Sequence, residues 1–508
     1  MTETLRLDGQ SLTLDQFLAV VRDRCAVGLA SEARAAMAES RDVVERAVRA
    51  GRPVYGVTTG FGALSDRMVP PDRGRELQRS LIRSHASGVG RSLPADVVRG
   101  MILLRANSLA RGRSGVRADV VEALLGLLNR GLVPWIPESG SVGASGDLAP
   151  LAHLALALIG EGTFVGPDGH PVPAAEALAR AGLAPLDPAE KEGLALLNGT
   201  ALMASYLALA VAEARALLDA ALLAAALSYD ALQGDPSALD DRLGELRNAP
   251  DERAIAQAMR ALLDGSQLAV VRTTWTGQDP YTLRCIPQVL AAVRVALSIA
   301  APVAERELNA VTDNPVVGDG DEFLNGGNFH GQSLAFALDT LALGVQYIAG
   351  FSERRTARLL HPALNRGLPA FLAADPGASS GFMISHTVQA ALVNENATLV
   401  HPASATSLPT SADQEDFVSM GAWAGAKLAR VLANARRVVA VEWIVAGQAL
   451  EHRRPKSGGR GSESALRALR RRVPPWVRDR SATDEIERLA ESIATGDAVG
   501  EVRADVPF

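Results

Sequence analysis

Five long runs of residues rich in alanine and leucine dominate the chain from residue 201 onward. They cover 201–233, 286–312, 332–361, 383–400 and 412–452. Alanine and leucine have high helix propensity, and these runs are apolar on much of their surface. Such helices are stable in water when they pack against one another or against another subunit. The runs therefore predict a mainly α protein organised around a bundle of long helices.

The first 200 residues show a different pattern, in which shorter helices alternate with loops. Loops rich in small residues are predicted for 51–70 and 131–146, and residues 161–173 are predicted to form a small hairpin. We therefore predict two domains, an N-terminal mixed domain over 1–200 and a long-helix bundle over 201–508. In the first domain, two amphipathic helical stretches are predicted within 14–50, and helical periodicity returns over 76–87, 95–110 and 117–130.

Composition and charge argue against several classes of protein. The formal net charge is −6, whereas a nucleic-acid-binding chain carries a basic surplus or a basic stripe. The uncharged run 193–212 is long enough to span a membrane, but its polar residues favour a buried helix of a soluble bundle. The eight histidines show no spacing typical of metal ligands, so no metal site is predicted.

The cysteine content and the N-terminus indicate the compartment. Disulfides are common in secreted proteins and rare where thiols are kept reduced. The chain has two cysteines, Cys25 and Cys285, which lie far apart in sequence. Its first residues are also too charged for a secretory leader, so we expect a cytoplasmic protein.

The segment 140–150 has the most informative chemistry. It reads Gly-Ser-Val-Gly-Ala-Ser-Gly-Asp-Leu-Ala-Pro, with Ala144-Ser145-Gly146 at its centre. In a tight turn the amide nitrogen of Gly146 can attack the carbonyl carbon of Ala144, because glycine has no Cβ to block the approach. Loss of water, including the Ser145 hydroxyl, leaves a five-membered ring with an exocyclic methylidene. Such a ring is an electrophile, a function that no ordinary side chain supplies.

Other interpretations of this triplet stay open on these residues alone. An isolated Ala-Ser-Gly is commonly a turn or the start of a helix. A serine nucleophile elbow requires Gly-x-Ser-x-Gly, and Ser145 has Gly143 before it but Asp147 in place of the second glycine. A phosphate-binding loop requires a lysine directly after its glycines, and none follows in this segment.

Seven segments together resemble the family of aromatic amino-acid ammonia-lyases and aminomutases, and most closely its histidine-specific ammonia-lyases. They occur in the order typical of the family. The segments are Tyr-Gly-Val-Thr-Thr-Gly-Phe-Gly (55–62), Ser-His-Ala-Ser-Gly-Val-Gly (84–90), Gly-Ser-Val-Gly-Ala-Ser-Gly-Asp-Leu-Ala-Pro-Leu-Ala-His (140–153), Glu-Gly-Leu-Ala-Leu-Leu-Asn-Gly-Thr (192–200), Gln-Asp-Pro-Tyr-Thr-Leu-Arg-Cys-Ile-Pro-Gln-Val (278–289), Gly-Gly-Asn-Phe-His-Gly (326–331) and Ser-Ala-Asp-Gln-Glu-Asp (411–416).

The resemblance implies a carbon–nitrogen lyase that removes ammonia from an amino acid. It implies that Ala144-Ser145-Gly146 forms the prosthetic group of the family, 4-methylideneimidazol-5-one (MIO), without an external cofactor. It further implies a homotetramer whose active sites take residues from three subunits. No nucleic-acid or membrane partner is expected.

The same resemblance implies roles for individual residues. Tyr55 matches the base that takes the β-proton, and Tyr281 matches a tyrosine that assists the prosthetic group and relays protons. Arg284 suits the substrate carboxylate, because guanidinium binds a carboxylate through two hydrogen bonds. Asn198 is a donor to a carboxylate or to the ring carbonyl, with an N-cap of the following helix as the alternative. Phe329 would present an aromatic face to the ring.

Substrate choice depends on residues in further segments. His85, Met383 and Glu415 match the histidine-specific pattern, and a carboxylate at 415 suits a polar, partly cationic ring or the substrate amine. Gln414 is a further hydrogen-bond donor. Phe417 departs from the pattern, since a histidine is usual at that position.

We therefore expect conversion of L-histidine to trans-urocanate and ammonia. Phe417 keeps two alternatives open, a tyrosine or phenylalanine ammonia-lyase and an aromatic 2,3-aminomutase. A non-catalytic helical scaffold is the remaining alternative. It is disfavoured because the triplet, the arginine and the tyrosines are all present.

Overall fold

The computed structural model describes residues 4–274 and 277–508. Most of the ordered elements in these ranges are helices, and the strands are short and occur in pairs. The prediction of a mainly α fold is confirmed.

The helices of the described residues fall into two groups along the chain. The shorter ones of the first 200 residues are α1 (Leu14–Val21), α2 (Ser31–Arg49), α3 (Gly74–His85), α4 (Ala95–Ala110), α5 (Ala118–Asn129), α6 (Leu148–Leu158), α7 (Ala174–Arg180) and α8 (Glu192–Leu197). The later ones are α9 (Ala201–Ala231), α10 (Asp241–Leu246), α11 (Pro250–Leu263), α12 (Tyr281–Arg284), α13 (Ile286–Glu307), α14 (Gln332–Leu360), α15 (Met383–Leu399), α16 (Gly421–Glu451), α17 (Arg460–Arg470), α18 (Thr483–Thr495) and α19 (Asp497–Asp505).

Four two-stranded sheets accompany the helices in the described residues. The hairpin predicted within 161–173 is confirmed, with three antiparallel residue pairs. The other three sheets were not predicted, because strands of two to four residues are too short to show a period-two pattern. The strands are β1 (Leu5–Leu7) parallel to β2 (Val27–Leu29), and the antiparallel pairs β3 (Val89–Ser92) with β4 (Pro137–Ser139), β5 (Thr163–Val165) with β6 (Pro171–Pro173), and β7 (Val316–Val317) with β8 (Phe323–Leu324).

The chain folds into two compact units, each assembled from separate stretches of sequence. The first unit takes the described residues up to Leu209 together with Ala301–Leu338 and Pro402–Ala426. The second takes the described residues of Ala210–Ala300 with Asp339–His401 and Lys427–Phe508. A domain boundary at residue 200 stays a prediction.

In the first unit, α4 is buried on every side from Val97 to Ala110. Its apolar residues pack against α5, α1 and α2. Its arginines donate to backbone carbonyls, and Arg99 reaches those of Val20, Val21 and Leu128. A helix that buries arginine in this way is fixed in rotation, because a turn would leave the charge without its acceptors.

The second unit has a buried polar network within its apolar core. Arg355 and Glu442 form an ion pair with both side chains fully buried, and Ser228 donates to Glu442 at 2.7 Å. Trp443, the next residue on α16, is also fully buried. A buried pair of this kind is strongly destabilising when one partner is removed.

The predicted helix over 412–452 is wrong at its start, since α16 begins at Gly421. Ser411, Ala412 and Asp413 have positive φ values of 54°, 53° and 62°, and a right-handed helix cannot pass through that region. The segment that contains Glu415 is therefore a loop.

Two helices, α13 and α14, are long and apolar enough to cross a membrane by length and composition alone. In the folded chain, 50% and 61% of their most apolar windows are buried, as in core helices of a bundle. The uncharged run 193–212 is interrupted between α8 and α9, and its residues up to Val211 are buried. The prediction of a buried segment there is confirmed.

Candidate active site

A cavity of about 670 Å³ opens in the first unit. Its walls come from the loop after residue 54, the end of α3, the triplet, the end of α8, and the loops before α14 and α16. The structure thus brings together residues from segments separated by more than 300 positions. The sequence-predicted site residues that line it are Tyr55, His85, Ala144, Ser145, Asn198, Phe329, Gln414, Glu415 and Phe417.

The triplet forms a compressed turn. Ser145 and Gly146 both have positive φ, 50° and 79°. Gly146 pairs with Gly199 in an isolated bridge, and a Cβ at position 146 would lie 2.1 Å from the Gly199 carbonyl oxygen. Glycine is therefore required there, because the Gly199 backbone fills the space that a side chain would occupy.

Asp147 anchors the turn to the start of α9. Its Oδ2 accepts hydrogen bonds from the backbone N–H groups of Leu202 at 2.9 Å and Met203 at 3.1 Å, and its own N–H donates to Gly199. Ser141 donates to Oδ1 at 3.3 Å. Burial raises the pKa of Asp147 to about 7, because desolvation of the carboxylate outweighs these donors. The sequence placed Asp147 in the motif without showing that it would be a buried acid.

Glu415 faces the triplet across the cavity. The Ser145 hydroxyl donates to Glu415 Oε1 at 2.9 Å, a contact between residues 270 positions apart. Thr410 and Ser411 donate to Oε2 at 2.7 and 2.8 Å. Hydroxyl groups thus orient this carboxylate at the cavity wall, and sequence reasoning had not identified Thr410 or Ser411.

His85 closes α3 with its Nδ1 directed at the backbone. Nδ1 lies 3.0 Å from both the Leu81 carbonyl oxygen and the Ser84 hydroxyl. The carbonyl oxygen only accepts, and the Ser84 hydroxyl can donate to it at 3.1 Å, so this arrangement favours a proton on Nδ1. Burial lowers the pKa of His85, which favours the neutral ring. Nε2 of the neutral ring is consequently an acceptor. The edge of Phe61 packs on the ring, with centroids 5.7 Å apart.

Tyr55 lies in the Gly-rich loop of the same cavity. Its hydroxyl oxygen accepts a hydrogen bond from the Gly62 N–H at 2.8 Å. Gly56 beside it has a φ of +64°, and a Cβ there would lie 2.4 Å from Leu194. The loop therefore holds the phenol at the cavity wall through backbone contacts that only glycine permits at position 56.

Asn198 ends α8 and does not cap α9, so the N-cap alternative is wrong. Its Nδ2 donates to the carbonyl of Asn314 at 2.8 Å, whereas its Oδ1 is buried without a partner. Phe329 lies in the loop before α14, and the next residue, His330, stacks on Phe417 with centroids 6.3 Å apart. Sequence reasoning had missed His330, although it lies inside the Gly-Gly-Asn-Phe-His-Gly motif.

Three predicted site residues, Tyr281, Arg284 and Met383, belong to the second unit and do not line this cavity. Tyr281 and Arg284 both lie on the short helix α12, and the Arg284 guanidinium lies 4.6 Å from the centroid of the Tyr281 ring. Arg284 lines a second cavity of about 640 Å³, and its buried Nε has no hydrogen-bond partner. Met383 is the first residue of α15 and is partly exposed.

Within residues 4–274 and 277–508, no group of three or more His, Cys, Asp or Glu side chains is arranged to hold a metal ion. The polar side chains of the first cavity instead include a phenol, two imidazoles, four carboxamides and two carboxylates, together with serine hydroxyls. This set suits proton transfer and recognition of N–H groups.

Comparisons with known proteins identify the family. The profile of the aromatic amino acid lyase family matches residues 12–471. A histidine ammonia-lyase of Symbiobacterium thermophilum is 48% identical over 497 residues, covering 98% of either chain.

Solved structures give the same result. A tyrosine aminomutase from Streptomyces globisporus is similar with a TM-score of 0.94 at 36% identity, covering 100% of this chain and 99% of the other. A histidine ammonia-lyase from Trypanosoma cruzi is similar with a TM-score of 0.92 at 39% identity, covering 99% and 96%. On its sequence and its fold, this chain belongs to the aromatic amino acid lyase family.

Proposed function

We propose that the protein converts L-histidine to trans-urocanate and ammonia. The observation that carries the proposal is the compressed Ala144-Ser145-Gly146 turn in one cavity with Tyr55 and Glu415. Relatives named histidine ammonia-lyase, of which one is 48% identical at full length, support the choice of substrate.

The triplet fits the MIO group in this structure. Position 146 admits only glycine, and Ser145 already has the left-handed φ of a tight turn. Ala144 and Ser145 line the cavity, so a ring formed from them would face the substrate. When formed, this group supplies an electrophile that activates the substrate for loss of its amine. No external cofactor is required.

Removal of the β-proton is assigned to Tyr55. Removing an unactivated C–H proton requires a base at the β-carbon, and Tyr55 holds its oxygen at the cavity wall through the Gly62 N–H. Phe329 and Asn198 bound the same space. Gln414 is assigned a supporting hydrogen bond.

Recognition of the substrate side chain is assigned to His85 and Glu415. His85 Nε2 is an acceptor, and the Glu415 carboxylate accepts only. Two acceptors suit a ligand rich in N–H groups, as histidine is with its ring and its ammonium. Phe417 adds an apolar surface for the flat face of the ring.

Binding of the substrate carboxylate is assigned to Arg284, which has Tyr281 beside it. Met383 is assigned a position near the substrate ring. These residues lie in the second unit, and we assign them to active sites shared between the chains of a homotetramer. α15 supports this assembly, because its exposed side includes Ile384 and Val388, 64% and 42% exposed, which another copy would cover. Neither Cys25 nor Cys285 forms a disulfide, in keeping with a cytoplasmic location.

A second candidate is a tyrosine or phenylalanine ammonia-lyase, or an aromatic 2,3-aminomutase. Phe417 favours it, because the cavity gains an aromatic wall where a histidine is usual. The similarity to a tyrosine aminomutase structure agrees with this alternative.

The test is a substrate panel with the purified protein. Growth of urocanate absorbance from L-histidine is the expected result, together with an intact mass lower by two waters than the sequence mass. Turnover of tyrosine or phenylalanine with no product from histidine would support the second candidate, and a β-amino acid product would identify an aminomutase. An unmodified mass with no turnover would leave the non-catalytic scaffold.

A further inference from the structure

The Asn198 side chain has a buried oxygen, Oδ1, that accepts no hydrogen bond from the described chain. Among the described residues that line the first cavity, Asn198 Oδ1 is the only buried side-chain nitrogen or oxygen without a hydrogen-bond partner. The amide cannot rotate freely, because its Nδ2 donates to the Asn314 carbonyl. An unpaired buried acceptor is costly unless a ligand supplies the donor. The folded chain thus holds Asn198 in an orientation that it does not itself use.

A buried arginine holds the backbone of Asn198. Arg105, fully buried in α4, donates from Nη1 to the Asn198 carbonyl oxygen at 2.6 Å. The guanidinium reaches that carbonyl because the next residue is glycine, and a Cβ at Gly199 would lie 2.2 Å from Nη1. Gly199 also pairs with Gly146, so Arg105 braces the strand of chain that supports the triplet.

A buried ion pair holds the side chain of Asn198 through its neighbour. Lys191 Nζ lies 2.6 Å from Asp313 Oδ2, with both side chains fully buried. Asp313 Oδ1 accepts from the backbone N–H of Asn314 at 2.7 Å. Asn314 in turn accepts from Asn198. Lys191 directly precedes α8, the helix that ends at Asn198, and Asp313 directly precedes Asn314. The ion pair therefore links the helix that holds Asn198 to the residue that accepts its side-chain hydrogen bond.

We propose that Arg105, Lys191 and Asp313 are positioning residues that keep Asn198 Oδ1 directed to accept an N–H of the substrate ammonium. This inference rests on the proposed ammonia-lyase function, since it assigns the donor to the substrate. The three residues touch no substrate atom and act through Asn198. Burying two cations and one anion away from water costs free energy of folding. Because all three residues lie behind the Asn198 amide, we assign them a role in addition to folding.

The second unit offers a matched control. Arg355 and Glu442 are also a fully buried ion pair, and neither residue lines the first cavity. Lys191→Met and Arg355→Met each leave a buried carboxylate unpaired, so both variants lower the melting temperature. Only the first removes a support of Asn198.

The experiment compares kcat, KM, melting temperature and intact mass for Lys191→Met, Arg355→Met, Asn198→Ala and the double variant Lys191→Met with Asn198→Ala. We expect Lys191→Met to lower kcat on the order of 10- to 100-fold, the effect of a small misplacement of a substrate contact. In the Asn198→Ala background the same change has no further effect on kcat, because the two act through one group. Lys191→Arg recovers most of the lost rate.

Other results would overturn the inference. If Lys191→Met and Arg355→Met change kcat equally, or if Lys191→Met and Asn198→Ala are additive, the ion pair only supports folding. The intact masses show whether loss of rate reflects an unformed prosthetic group instead, which would also count against positioning. If the wild type is inert to histidine but turns over tyrosine or phenylalanine, the proposed function fails and the kinetics are read on that substrate. A wild type inert to all three overturns both.

Discussion

The catalytic side chains of the first cavity are largely hydrogen-bonded by the chain itself, whereas the buried Nε of Arg284 in the second unit is not. Ser145 is bonded to Glu415, and Tyr55 accepts from the Gly62 N–H. The buried Nε of Arg284 has no hydrogen-bond partner, and its guanidinium lies over the Tyr281 ring. A satisfied pocket is preorganised, whereas an unsatisfied cation is prepared for an anion from outside. The difference agrees with the roles proposed above, in which the first cavity performs the elimination and Arg284 binds the substrate carboxylate.

The largest expected effect comes from the triplet. Ser145→Ala removes the hydroxyl whose loss creates the methylidene, so the intact mass should no longer be lower by two waters. Turnover should fall by more than about 10³-fold, as when a covalent catalytic group is lost. Ser139→Ala, which changes an exposed serine at the end of β4, is the matched control and should mature normally. Full turnover by Ser145→Ala would remove the triplet from the reaction.

The second-largest effect is expected at Arg284 in the second unit. Arg284→Met should lower kcat/KM by about 100-fold, since charge-assisted hydrogen bonds contribute about 1.5–3 kcal/mol. The intact mass should still be lower by two waters, which would show that the loss of activity does not come from an unformed prosthetic group. Arg294→Met, which removes an exposed ion pair with Asp251, should leave kcat/KM unchanged.

Co-expression of these two impaired variants tests whether the triplet and the arginine of one active site come from different chains. Co-expressed Ser145→Ala and Arg284→Met chains should regain part of the wild-type activity, because some sites then combine an intact triplet with an intact arginine. If the mixed assembly stays inactive although both chains fold and associate, each site is built from one chain.

Asp147 gives the first unit a stability that depends on pH. Burial raises its pKa to about 7 in the folded chain, against an ordinary value of 3.8. The folded chain therefore binds more protons, and the stabilisation is present at low pH and is lost as pH rises through about 7. The free energy of unfolding, relative to Asp147→Asn, should fall by up to about 4 kcal/mol over this window. Urea denaturation of both proteins measures it, and parallel pH curves would contradict the buried acid.

The smallest effect is expected at Phe417. Phe417→His restores the usual residue of the histidine-specific pattern and replaces the stacking on His330 by a second imidazole. We expect kcat/KM for histidine to rise about threefold relative to tyrosine, a change below about 1 kcal/mol that is typical of one altered aromatic contact. A ratio that moves towards tyrosine would instead support the aminomutase or tyrosine-lyase alternative.

Local patterns predicted most of the helices. The runs that became α9, α13, α14 and α15 are continuous in composition, and helix formation depends on neighbours three and four residues apart. The start of α16 was wrong for the same reason, because composition does not reveal the left-handed residues Ser411 to Asp413. The loop they form is what directs Glu415 towards the triplet.

By itself the sequence determined the mainly α architecture, the Ala144-Ser145-Gly146 turn and seven further residues of its cavity, because propensity, turn chemistry and motif are local properties. Only the tertiary structure decided the contacts between distant segments. It brought Ser145 within hydrogen-bond distance of Glu415, 270 positions away, and Lys191 within hydrogen-bond distance of Asp313, 122 positions away. It also left Asn198 Oδ1 unpaired. Hydrogen bonds between buried groups depend on how whole helices and loops pack, and no local pattern carries that information.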